Sequence, residues 1–141
     1  MIIADTGFFL ALANSRDRYH KAATAALAAV TEPLVTTWPV LTETCHLLAH
    51  RMHAQAAETF LAGAARGGFE LFDLGPVHLP RVVELMRKYR QLPMDLADAS
   101  LVILAEQLGS GRILSTDQRD FGAYRWKNRR PFHNLLASAL T

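Results

Sequence analysis

Four carboxylates, Asp5, Glu43, Asp98 and Asp117, are spread along the 141-residue chain, each beside or inside an apolar segment. Carboxylates brought together raise one another's pKa, so a cluster of them is costly until a cation occupies it. The donors are all oxygen and none is a thiolate, a set that suits Mg2+ or Mn2+. Such a centre polarises phosphoryl oxygens, lowers the pKa of a bound water and, with two ions, serves both the attacking and the leaving oxygen. Phosphodiester hydrolysis is the reaction it fits. Each acid also has a plain alternative. Asp5 can cap a helix beginning at Thr6, and Asp117 can start a turn. Asp98 is three residues after Asp95, so the two share a helix face. Asp95 can be the cap there, with Asp98 only favouring the positive end of the helix dipole. Glu43 is harder to explain away. It falls between Val40 and Leu47 at helical spacing, inside a stripe of Val40, Leu41, Leu47 and Leu48, with no lysine or arginine one turn away.

The elements that must position these acids are legible from periodicity and breakers. Residues 2–4 are a short apolar run, read as a buried strand, and 6–13 a short apolar helix. After a loop at 14–17, residues 19–30 are alanine-rich and helical, and Pro33 separates them from a second strand at 34–37. Trp38-Pro39 opens a helix reaching about residue 51, and 55–65 is a further helix closed by Gly67-Gly68. A third strand at 69–72 and a helix at 80–89 follow. Pro93 fits the start of a helix that is apolar nearly all round and ends at 109–111. Residues 112–115 read as a fourth strand and 123–126 as a fifth. Strands alternating with helices imply crossovers and a mainly parallel sheet of four to five strands, covered on both faces. Ligands of such sheets bind beyond the carboxyl ends of the strands. Asp5 directly follows the first of those strands, and Asp117 comes after the fourth.

The totals fit one domain with its own core: half of the residues are hydrophobic, and no apolar run is long enough for a membrane span. The opening Met1-Ile2-Ile3-Ala4-Asp5 has no basic region before it, and Cys45 is the one cysteine; both point to a reducing cytoplasm. The net charge of +2 is not diagnostic, but Arg125, Lys127, Arg129 and Arg130 gather around Trp126. That cluster suits contact with a phosphate backbone and suits a solvated surface equally well.

Four segments carry a resemblance: Ile2-Ile3-Ala4-Asp5-Thr6-Gly7, Thr42-Glu43, Met94-Asp95-Leu96-Ala97-Asp98-Ala99, and Leu114-Ser115-Thr116-Asp117-Gln118-Arg119-Asp120-Phe121. In this order the chain resembles the PIN-domain nucleases, and most closely the VapC-type toxins of toxin–antitoxin pairs. The resemblance spans nearly the whole chain, the stretch after Phe121 being its least specific part. It implies a PIN-like three-layer α/β/α fold, endoribonuclease activity with Mg2+ or Mn2+, an RNA substrate, a homodimer and an inhibiting antitoxin. By position it implies Asp5 and Asp98 as metal ligands, with Glu43 and Asp117 completing the shell directly or through water. The hydroxyls of Thr6 and Thr116 would orient a ligand or water. Asp95 and Asp120 are extra acids whose roles stay open.

Other chemistries compete. Cys45, His46, His50 and His53 crowd one helix end, and His46 with His50 has the spacing of a zinc pair, but residue 47 is leucine where the catalytic zinc motif needs glutamate. A phosphoryl-transfer enzyme or signalling receiver needs a lysine soon after the fourth strand, and the nearest is Lys127. A PIN-domain nuclease of RNA processing, or a binding module that keeps the acids for structure, remains compatible with the chain.

Overall fold

The computed structural model describes residues 1–137. Ile2–Ala4 (β1) and Leu34–Thr37 (β2) are buried at every position, as strands covered on both faces must be. Glu70–Phe72 (β3), Arg112–Leu114 (β4) and His133–Asn134 (β7) complete a five-stranded sheet in the order β3-β2-β1-β4-β7. Every pairing in it is parallel. The more exposed β3 and β7 form its edges.

Parallel neighbours need crossovers. Thr6–Ala13 (α1) and His20–Ala29 (α2) join β1 to β2, and Trp38–Arg51 (α3) and Ala54–Ala65 (α4) join β2 to β3. A 3-10 turn at Pro76–His78, then Leu79–Lys88 (α5) and Leu96–Leu108 (α6), carry the chain back across the sheet to β4. The chain therefore builds outward from β1 in one direction and returns on the other side of it. The reversal between β1 and β4 is the topological switch point, where an open α/β sheet leaves a crevice. Ala4 pairs with Leu114, and the Asp5 N–H donates to the Leu114 carbonyl at 3.1 Å. Sheet pairing thus sets Asp5 next to Ser115.

Helix α6 is the apolar spine behind that crevice. Leu101, Val102, Ile103 and Leu104 are all buried within the core that includes Ile3, Phe8 and Ile113. Each such side chain stabilises the fold by about 1.5–3 kcal/mol on burial. The helix stops at Gly109, whose φ of 68° is left-handed and whose N–H donates to the Ala105 carbonyl.

Two expectations are corrected. Helix α6 begins at Leu96 and not at Pro93. The Leu92 and Met94 N–H groups both donate to the Tyr89 carbonyl, which ties this segment to the end of α5 and keeps it out of the helix. Residues 123–126 do not supply a fifth strand of the main sheet. Arg125–Trp126 (β5) pairs antiparallel with Arg130–Pro131 (β6) in a separate hairpin, and β7 takes the edge. Lys127 and Asn128 have φ of 49° and 65°, which folds the chain back at once. The Trp126 indole N–H donates to the Pro131 carbonyl and packs where a Cβ on Gly111 would come within 2.3 Å of its nitrogen.

Candidate metal centre

Three of the acids begin helices. Asp5 accepts the Thr6 N–H at 2.7 Å, Asp95 the Asp98 N–H at 2.8 Å, and Asp117 the Asp120 N–H at 3.0 Å. Asp117 stands before the short helix Gln118–Ala123 (α7). The plain role as caps is therefore real, but a cap uses only one carboxylate oxygen. The second oxygen of Asp5 accepts the Ser115 hydroxyl at 2.8 Å, and Ser115 Oγ accepts the Asp117 N–H at 3.0 Å. One buried serine thus links the acid after β1 to the acid after β4. The Tyr124 hydroxyl donates to Oδ2 of Asp98 at 2.8 Å.

The electrostatics show how closely the acids crowd. Burial pushes Asp5 up to about 6, the negative charges of Glu43 and Asp117 push the same way, and hydrogen bonds from Ser115 and Thr6 oppose them. Burial pushes Asp98 up to about 8, helped by Asp95, Asp5 and Asp120 and opposed by the Tyr124 hydroxyl. Glu43 is raised by burial and then by Asp95. Asp120 is raised by burial and then by Asp117. The fold gathers all six acids at one sheet edge, and each of these four is shifted toward its neutral form. Glu43 arrives from α3, but at the border of the core stripe rather than within it: Val40, Leu41, Thr44 and Leu48 are buried, while Glu43 and Leu47 are half-buried.

The two threonines divide in role. Thr6 Oγ1 is buried and has no hydrogen-bond partner among the described residues. It lies near enough to Glu43 to draw that pKa down without reaching hydrogen-bonding geometry. Thr116 packs against the first turn of α1, where a Cβ on Gly7 would stand 2.0 Å from its Oγ1. Glycine at position 7 is what lets the β4–α7 loop close onto α1.

These residues fit a hard divalent cation. The donors are carboxylate oxygens, burial and then neighbouring acids raise the pKa values of Asp5, Glu43 and Asp98, and the orphaned Thr6 hydroxyl is buried among them. Among the described residues no group of three or more His, Cys, Asp or Glu side chains is arranged to hold a metal ion by itself. Mg2+ does not need one, since it keeps several waters and is commonly held by one or two carboxylates together with substrate phosphate. The histidine cluster is arranged differently. His50 Nδ1 lies 3.0 Å from the His46 carbonyl oxygen, and His53 Nδ1 accepts the Ala56 N–H as the cap of α4.

Next to Glu43 and Asp95 opens a groove of about 630 Å3, lined also by Trp38, Pro39, Thr42, His46, Leu74 and Leu96. Trp38 is 56 % exposed there. The basic cluster lies elsewhere. The Lys127 N–H donates to Glu106 near the end of α6, and Arg81 bonds both Glu106 and Asn128. Eight residues of helix, about 12 Å, separate Glu106 from Asp98. Arg125 is occupied by the Gly122 and Tyr124 carbonyls.

Sequence reading singled out neither Ser115 nor Tyr124. Ser115 left a signal, because a serine two residues before an aspartate just past a strand can fold a hydroxyl turn. Tyr124 left none, because its reach to Asp98 depends on how α7 returns the chain.

The model of the PIN domain matches residues 2–127. The chain belongs to the PIN domain family. This PIN domain is 29% identical to ribonuclease VapC26 of Mycobacterium tuberculosis over 124 residues, covering 88% of this chain and 92% of the relative. Its fold is similar to the crystal structure of VapC20 of Mycobacterium tuberculosis, a sarcin–ricin loop cleaving toxin. The TM-score is 0.79 at 22% identity, over 84% of this chain and 92% of that one. The fold shared with that structure accounts for the parallel sheet and its switch-point crevice.

Proposed function

We propose that this PIN domain is a VapC-type endoribonuclease, the toxin of a toxin–antitoxin pair, hydrolysing RNA phosphodiesters with Mg2+ or Mn2+. The observation that carries the reading is the pairing of Asp5 with Asp98. Both are pushed toward neutrality by burial and by neighbouring acids, and each has one oxygen fixed by a hydroxyl. Structural acids do not ordinarily collect at a switch point in that state. Asp5, Glu43, Asp98 and Asp117 would hold the cation, and Thr6 would orient a water. When bound, the cation supplies Lewis-acid stabilisation of the phosphoryl oxygens and a more acidic water. The chain's own residues do the rest. Ser115 keeps Asp5 and Asp117 in register, and the walls formed by Trp38 and Leu96 shield one flank of the crevice.

The partners follow the same reading. Val77, Leu79, Val83 and Met86 expose apolar surface along the 3-10 turn and α5, which supports a homodimer. An apolar groove of about 450 Å3 lined by Phe9, Leu12, Leu27, Met52, Phe60 and Phe69 supports a protein partner such as an antitoxin. Among the described residues no helix is long and apolar enough to cross a membrane. A cytoplasmic location accords with the single cysteine.

The test is incubation of the purified chain with total RNA and Mg2+ or Mn2+, with and without chelator, followed by sequencing of new ends. Products should carry a 5′-phosphate and a 3′-hydroxyl, and Asp98→Asn should make none while remaining folded. Chelator-resistant cleavage, 2′,3′-cyclic ends, or an Asp98→Asn variant cutting at the wild-type rate would overturn the proposal.

A further inference from the structure

Tyr124 is the largest fully buried side chain of the protein, yet its hydroxyl reaches a carboxylate at the mouth of the crevice. Its ring is held from two sides. Tyr89, at the end of α5, meets it edge-on with centroids 5.0 Å apart, and Phe121 of α7 does the same at 5.1 Å. The backbone is also fixed: the Tyr124 N–H donates to the Asp120 carbonyl, and the next N–H, of Arg125, donates to the Tyr89 hydroxyl at 2.9 Å. A tyrosine so confined has one place to put its oxygen, and Oδ2 of Asp98 is there at 2.8 Å.

We infer that Tyr124 is a positioning residue for metal binding: it fixes the Asp98 carboxylate so that its other oxygen faces the cation. The inference rests on the proposed metal-dependent function. A carboxylate at the first turn of a helix has free rotation about its side chain unless something holds it. A neutral hydroxyl donor holds it without competing for the cation, whereas a lysine or arginine would neutralise the ligand. Partners of this kind, one step removed from the metal, commonly alter affinity by about 10–100-fold. The arrangement also joins two ligands through one short segment. Asp117 opens α7 and Tyr124 closes it, so the helix that carries one acid delivers the hydroxyl that orients another. The Tyr124 and Ser115 hydroxyls act in parallel, one on Asp98 and the other on Asp5.

Tyr124→Phe keeps the ring and removes only the hydroxyl. Calorimetric titration of the metal-free full chain with Mn2+ should show affinity about ten-fold weaker than wild type. The Mn2+ concentration giving half-maximal RNA cleavage should rise by a similar factor, and kcat at saturating Mn2+ should change little. Tyr19→Phe is the control. It removes a tyrosine hydroxyl at the start of α2, outside the aromatic group that holds Tyr124, so it should leave Mn2+ affinity unchanged. A second measurement needs no deletion. With 3-fluorotyrosine at the three tyrosines, the fluorine resonance of position 124 should move when Mg2+ is added, while that of Tyr19 should not. Unchanged Mn2+ affinity in Tyr124→Phe, an equal loss in Tyr19→Phe, or a Tyr124 resonance indifferent to Mg2+ each overturns the inference. Wild-type protein that binds Mn2+ but cuts no RNA would overturn the nuclease reading and leave the role of Tyr124 standing.

Discussion

Replacing Asp5 with asparagine should abolish metal-dependent RNA cleavage and make the metal-free protein more stable. Asp5 is 7 % exposed, and burial is the main reason that its carboxyl moves from 3.8 to about 6. A carboxyl whose pKa is higher in the folded state holds its proton more tightly there than in the unfolded chain. Its favourable contribution is fully present below about pH 4 and is lost as the pH rises through about 6. At pH 7 a displacement of roughly two pH units, at about 1.36 kcal/mol each, costs the fold about 3 kcal/mol. Asparagine carries no charge and still offers an oxygen to the Thr6 N–H. The variant should gain up to about 3 kcal/mol at pH 7, roughly 10 °C in Tm for a chain of this size, and almost nothing at pH 4. Asp98, raised to about 8, extends the same fall in wild-type stability to higher pH. The assay is thermal denaturation in chelator from pH 4 to pH 8, with RNA cleavage measured alongside. Mg2+ should raise the wild-type Tm more at pH 8 than at pH 5, and should raise that of Asp5→Asn far less. If Asp5→Asn melts at or below wild type at pH 7, or wild-type Tm does not fall across the range, the crowded-carboxylate argument is refuted.

Gly7→Ala would place a Cβ 2.0 Å from Thr116 Oγ1. It should destabilise the protein by about 1–3 kcal/mol in urea denaturation. Adding Thr116→Ala should recover most of that loss, since Thr116 Cβ stands 3.3 Å away; additive effects would show that the contact does not limit the fold. Glu32 is held down at about 2, first by hydrogen bonds from Arg112 and then by the N-terminal ammonium. It should contribute stability above about pH 4.5 that is lost as the pH falls toward 2. Glu32→Gln should flatten that acid limb, and salt should do so in part because the pair is exposed; an identical limb in both proteins would mean that the pair contributes nothing. Trp38→Ala should weaken RNA binding by about ten- to a hundred-fold through lost base stacking, with Mn2+ affinity unchanged. The other tryptophan, Trp126, is buried, so quenching of the exposed indole by RNA reads Trp38 directly, and an unaltered KM would place the substrate elsewhere.

Much of this arrangement was legible from apolar runs and the acids that end them. Ile2-Ile3-Ala4 and Ile113-Leu114 are short apolar runs between breakers, which read as buried strands, and an aspartate a little beyond each points to the ligand-binding edge. The acids also hid one fact: the cap and the ligand readings of Asp5 and Asp117 were not rivals, because a carboxylate has two oxygens. Helix α6 starts later than Pro93 suggests, because Pro93 resembles a first helical residue while the bonds to Tyr89 that exclude it are tertiary. Position 126 leaves the main sheet for the same kind of reason. Trp126 has the composition of a strand, but the positive φ at Lys127 and Asn128 turns it back on residues 130–131. Tyr124 was invisible because nothing local distinguishes a core tyrosine from one whose hydroxyl meets a carboxylate 26 residues away.

The adjacency of β1 and β4 bears on how the protein comes into being. Asp5 precedes its partner Ser115 by 110 positions in the chain. Contacts at that sequence separation form late, after the loop between them has been closed. Until β4 slots beside β1, Asp117 has no sheet edge to stand on and Asp5 lacks the serine that holds it. A growing chain therefore carries Asp5, then Glu43 and then Asp98, before Ser115 and Asp117 exist to complete the centre. For an RNA-cutting protein made on an RNA machine, activity that appears only with the last strands is a delay written into the order of the sheet.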